Sequence, residues 1–162
     1  MEYIEKIKKM LCKELDEYAM KGKISGSDLD MIWKLTDTVK NLDKIEMLEP
    51  ERIDNIRKKI AKAAEDAAVK MDEERFEQEM IFYLEKLDIN EEKVRLRQHC
   101  KYFMDTIDSE VAPGKKLVFI IQEMGREINT TGSKANCSEI QQYVVRMKDE
   151  LEKIREQSMN IL

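Results

Sequence analysis

Ile4, Ile7, Leu11, Leu15 and Tyr18 recur every three or four residues, a spacing that gathers them on one stripe of an amphipathic helix, and Gly22 and Gly26 end that run. Ser27 can cap a second helix, with Asp30 three residues on and Ile32, Leu35, Val39 and Leu42 as its buried stripe. Together these predict a helical hairpin over residues 3–48. It is too small to bury a stable core by itself, so it should pack on the rest of the chain or on another copy. Pro50 predicts a seam, because proline pushes the residue before it out of the helical region and suits the first turn of a new helix. The expected organisation is therefore an N-terminal hairpin, 1–49, and a second unit, 50–162.

Beyond Pro50, Ile53, Ile56, Ile60, Ala63, Ala67 and Met71 keep helical spacing. Asp72, Glu73 and Glu74 then look like a fresh N-terminus leading into Phe76, Met80, Tyr83, Leu84 and Leu87, as a separate helix or as the second arm of one bent helix. A further helix starts near Asn90 with Leu96, Cys100, Phe103 and Ile107 inward, and Pro113 and Gly114 supply the turn after it. LVFIIQEMGREI puts Leu117, Ile120, Ile121, Met124 and Ile128 on one helical face; the β-branched run is the argument for a strand, and the continued spacing favours a helix. NTTGSKANCS reads as a polar turn. Ser138 can cap a last helix whose Ile140, Val144, Met147, Leu151 and Ile154 form a short heptad seam. The fold class is all-α, a helical hairpin followed by a four- or five-helix module with long antiparallel helices.

Composition agrees with helices, since five Gly and two Pro in 162 residues leave little turn chemistry for a sandwich or barrel. With 29 Lys and Arg against 34 Asp and Glu the net charge is -5, so contact with any nucleic acid would need a local cationic patch. Cys12, Cys100 and Cys137 are three, far apart and without a CxxC, which suggests neither a disulfide framework nor structural zinc. Charges in every turn of the N-terminus, and no apolar run approaching ~18 residues, leave no signal peptide or membrane span in view, and the cytoplasm is the expected compartment.

His99 is the single histidine, and Glu92, Arg95 and His99 share a helix face, where a solvated or ion-paired histidine is the commoner finding. One histidine excludes a two-histidine acid–base pair within one chain. Glu123 and Glu127, at i and i+4, can hold a divalent cation or pair with Arg126 and lysines as surface charge. Arg126, Asn129, Thr130, Gly132, Ser133, Lys134 and Asn136 suggest either a phosphate-holding loop or a C-capping turn with Gly132 left-handed.

LEKLDINEEKVRLRQHCKYF, GKKLVFIIQEMGREINTTGSKAN and VVRMKDELEKIREQSMNI, in that order over about residues 51–162, resemble the C-terminal domain of the YicC/YloC family of bacterial proteins. The resemblance implies a metal-dependent endoribonuclease, using Mn²⁺ or Mg²⁺, that forms a homo-oligomer, a hexameric ring, around single-stranded or structured RNA. It implies His99, Glu123 and Glu127 as catalytic residues, and Glu91, Glu92, His99, Glu123 and Glu127 as metal ligands. For RNA it implies Arg95, Arg97, Lys101, Tyr102, Arg126, Asn129, Ser133 and Lys134, with Phe103 in the core. Residues 1–49 do not resemble the family's longer N-terminal domain; LTDTVKNLDKIEMLE within them is similar to a short helical prophage-type protein. Leu117, Val118, Phe119 and Ile120 stand where the family often has Leu-Asp-Phe-Leu, and Gly125 where it often has Asn. The alternative is a non-catalytic helical oligomerisation module.

Overall fold

A computed structural model describes residues 26–66, 72–109 and 114–160, all but a few of them in five helices and none in a strand. The helices are α1 (Gly26–Asp66), α2 (Glu73–Lys86), α3 (Asn90–Ser109), α4 (Gly114–Ala135) and α5 (Ser138–Met159). The expected helix through Ile4 and Tyr18, and Cys12 with it, lies outside the described residues.

Four of the helices form a bundle. α1 lies along α5, α4 packs between α5 and α3, and α3 closes back onto α1, whereas α2 stands outside these four and packs chiefly on α1. The heptad positions Ile140, Met147 and Ile154 of α5 meet Met31, Leu42 and Ile45 of α1 and Leu117, Ile120, Met124 and Ile128 of α4 in one core, which Leu96 and Phe103 of α3 complete. Val39 and Ile107 are partly buried at its edge.

No seam occurs at Pro50. α1 continues through it for 41 residues in all, and its buried positions Leu35, Thr38, Leu42, Ile45, Arg52 and Ile56 hold one helical phase across it. Pro50 stands on the exposed side, where the carbonyl left without an N–H partner can turn to water. The first half of α1 is thus part of the common core, and Ser27 lies inside the helix instead of capping it. Beyond Arg52 the helix and α2 form a projecting arm. Of the expected stripe only Ile56 is buried among Ile53, Ile56, Ile60 and Ala63, and only Met80 within α2. Asp72 does cap α2, accepting the Arg75 N–H at 2.8 Å.

The expected turn at 129–136 is also helical. α4 runs to Ala135, so Gly132 is an interior helical residue, and a Cβ there would stand 3.0 Å from Val144 of α5. The left-handed residue is Asn136, φ 43°, and with Cys137 it makes the whole connection. Cys137 occupies the N-cap of α5 without accepting a backbone N–H, and its Sγ and the Ser138 hydroxyl both donate to Glu139, at 3.1 and 2.9 Å, instead of capping.

Arg52 is a buried cation, its side chain 3% exposed. Its Nε donates to the Ala135 carbonyl at 2.6 Å and its Nη2 to the carbonyls of Lys134, at 3.3 Å, and Leu87. Those are terminal carbonyls of α4, which have no partner within the helix, together with a carbonyl of the α2–α3 connection. Glu49 accepts from Arg52 Nη1 at 3.5 Å and also pairs with Lys93 of α3. Arg97, one turn further along α3, reaches Asp43 at 2.6 Å and Glu46 at 2.8 Å.

Replacing Arg52 by Met should lower stability by about 3–5 kcal/mol, because Glu49 and the α4 carbonyls lose a buried partner. Exposed Arg57→Ala should stay within about 0.5 kcal/mol. Denaturant titration of the two variants checks both values. Gly125 faces Leu151 with room for a methyl, the added Cβ standing 3.4 Å away. Gly125→Ala should therefore raise the unfolding midpoint, by about 0.5–1 kcal/mol from helix propensity, whereas Gly132→Leu should lower it by about 1–3 kcal/mol through overpacking.

Candidate functional site

The two faces of α3 do different work. Lys93 and Arg97 turn to the acidic row of α1, and Glu92, one residue back, turns to α4, where its Oε1 accepts from Lys134 Nζ at 2.7 Å. Glu92 is buried, its side chain 5% exposed, and its second oxygen, Oε2, has no hydrogen-bond partner. α3 and α4 run antiparallel, so this pair sets their register. Two turns along α3 from Glu92 is His99, and two turns back along α4 from Lys134 is Glu127. Helical spacing therefore puts His99 and Glu127 at the same level along the two helices.

Glu127 occupies a core-edge position in the phase of Met124, Ile128 and Thr131 and is buried, while Glu123 is half-buried and contacts Arg126 at 3.3 Å. His99 is half-buried, and neither its ring nor the Glu127 carboxylate bonds to another described residue. Burial pushes the neighbouring Cys100 thiol up to about 12, which rules out a thiolate nucleophile at this position.

The five expected metal ligands are not gathered. Glu91 is exposed and pairs with Arg95 at 2.5 Å, and among the described residues no three His, Cys, Asp or Glu side chains stand close enough to hold a metal ion. One described chain does not fit a divalent cation by itself.

The expected RNA contacts separate in the same way. Arg97 is committed to Asp43 and Glu46 and faces α1, so it does not belong to this surface. Lys101 is exposed, Tyr102 carries the Lys116 ammonium 5.0 Å above its ring, and Arg126 is 73% exposed. Asn129 and Ser133 are exposed, but on a helix and not in a loop, so their backbone N–H groups are spent within α4 and only side chains can contact a ligand. The hydroxyls of Thr130 and Ser133 bond to the Arg126 and Thr130 carbonyls.

Sequence reasoning missed Arg52, Lys93 and Phe119. The first left a signal: seven residues separate Ile45 from Arg52, and four separate Arg52 from Ile56, the phase of the buried stripe. Phe119 lies off the stripe of Leu117, Ile120, Ile121 and Met124, which marks it as outward.

A family profile described as Endoribonuclease YicC-like, C-terminal, matches residues 45–162. Two relatives carry the name probable endoribonuclease YicC. That of Clostridioides difficile strain 630 is 39% identical over 145 residues, 86% of this chain and 48% of the relative. That of Haemophilus influenzae Rd is 33% identical over 147 residues, 90% of this chain and 51% of the relative. The chain thus spans about half the length of these relatives, and the likeness begins before Pro50, reaching into residues 1–49. These matches place the chain in the YicC-like endoribonuclease family, to whose C-terminal domain residues 45–162 correspond.

Proposed function

We propose that the α3–α4 groove is a site of RNA phosphodiester cleavage, used by this chain or by the assembly to which it contributes. The observation that carries the reading is that His99, half-buried on α3, and Glu127, buried on α4, stand at the same level of the helix register that the Glu92–Lys134 pair sets. Breaking a phosphodiester takes a proton from the attacking oxygen and gives one to the leaving oxygen. His99 accepts the first proton from the attacking oxygen and hands it on to the leaving oxygen as that bond breaks, and the Glu127 carboxylate stabilises the imidazolium in between. Arg126 offsets phosphate charge from the exposed side. The Lys134 ammonium spends one N–H on Glu92 and keeps two for a phosphate oxygen.

Mn²⁺ or Mg²⁺ enters this proposal only with ligands from a second chain or from residues outside those described, and none of the steps above runs through it. A homo-oligomer is part of the reading. Trp33, Met47, Ile81, Phe82 and Val145 are large apolar side chains left exposed on one chain. Free Cys100 and Cys137 suit a reducing cytoplasm, and no described helix is long and apolar enough to cross a membrane. A second reading, a non-catalytic helical oligomerisation module, is favoured by those same exposed apolar side chains.

With a fluorescent single-stranded RNA, His99→Ala and Glu127→Gln should each slow cleavage by about 10²-fold or more while leaving the melting temperature within a few degrees. Loss of cutting in EDTA with return in Mn²⁺ would assign the missing ligands to a chain interface; cutting unchanged by EDTA would assign the chemistry to His99 and Glu127 alone. RNA left intact by the wild-type chain would move the function to the second reading. Light scattering at micromolar concentration should give a multiple of 19.2 kDa, and a monomer mass would overturn the oligomer.

A further inference from the structure

The outer face of α4 carries Lys115, Phe119, Gln122, Arg126, Asn129 and Ser133, all exposed and spaced alternately by four and three residues. That spacing draws a straight stripe of about 27 Å along the helix. Phe119 is 60% exposed, with its neighbours Leu117, Ile120 and Ile121 all in the core. Lys116, three residues before it, holds its ammonium over the ring of Tyr102 on α3, itself exposed. Phe119 and Tyr102 are thus exposed rings on neighbouring helices.

We propose that Phe119 is a base-stacking platform on which an unpaired RNA base lies, with Tyr102 as a second ring and the Lys115–Arg126 stripe following the strand's phosphates. The proposal rests on the RNA reading above and deepens it, since it selects single-stranded RNA over duplex: only an unstacked base offers a face to a side-chain ring. Charge decides between the exposed rings of this chain. The stripe carries two cations, Lys115 and the 73% exposed Arg126, and no carboxylate of its own, so this face is positive in a chain of net charge -5. Phe82 and Tyr83 are equally exposed, but α2 carries five glutamates against two cations, which repels a polyanion. Gln122, Asn129 and Ser133 add donors and acceptors along the stripe and no charge, the type of contact that reads base edges and ribose hydroxyls. Phe119 stands two helical turns, about 12 Å, from Glu127, so a strand anchored there leads its next phosphates to His99.

Fluorescence anisotropy of the full chain with a labelled single-stranded RNA, and with a duplex of the same length, tests this. Phe119→Ala should weaken single-strand binding about tenfold or more with an unchanged salt slope, and Phe119→Trp should restore it. Arg126→Ala should flatten the salt slope by about 0.7. Wild-type binding that survives Phe119→Ala undiminished overturns the stacking role and leaves the RNA reading standing. A wild-type chain that binds neither RNA overturns both. A Phe119→Ala variant that loses oligomer mass in light scattering, with RNA affinity per chain unchanged, assigns the ring to a contact between copies and also overturns the proposal.

Discussion

A buried guanidinium holds the architecture in register. Arg52 leaves α1 where that helix passes the end of the bundle, and it takes carbonyls from the last turn of α4 and from the chain between α2 and α3. Without it, α4 would end with unsatisfied acceptors facing a low-dielectric interior. Because those acceptors belong to Lys134 and Ala135, the residue whose ammonium reaches Glu92 is fixed through its backbone by α1 and through its side chain by α3. The common level of His99 and Glu127 inherits its alignment from that double anchorage.

Helix existence was legible throughout the described residues because the core is written in plain apolar periodicity, from Leu35 to Ile154. The helix starts after Asp72, at Asn90 and at Ser138 were legible too, whereas the continuations through Pro50 and through residues 129–135 were not. Asn129 to Ser133 look like a turn when scored residue by residue, since Asn, Thr, Ser and Gly favour turns. In place, Thr131, Gly132 and Ala135 form a small-residue face on which α5 can sit closely, and the hydroxyls of Thr130, Thr131 and Ser133 bond backwards to carbonyls of their own helix instead of competing with it. Pro50 misled in the opposite direction: its helix-breaking tendency was outweighed by core contacts placed on the other side of the helix.

The candidate site was half legible for similar reasons. The pairing of Glu123 with Glu127 and the uniqueness of His99 are facts of spacing and composition, visible without a fold. Which carboxylates are buried, and which cations already have partners, depends on contacts between residues distant in sequence: Lys134 with Glu92, and Arg97 with Asp43 and Glu46. Formal charge therefore overstates what is available to a ligand. Several cations in the RNA-marked blocks are spent on folding, and an outward aromatic that no charge pattern announces stands among those that are not.

The length of α1 has a mechanical meaning. Its 41 residues extend about 60 Å, close to twice the 22-residue α4 and α5 it is packed with, and beyond Arg52 it buries Ile56 and no other residue. A helix that long, clamped over one half, is a lever with its fulcrum at the clamp. A load on the arm formed by α2 and the end of α1 arrives first at Arg52, ahead of any residue of the main core, and Arg52 is the group that closes α4. Whatever grips the arm therefore pulls on the end of the helix that lines the groove.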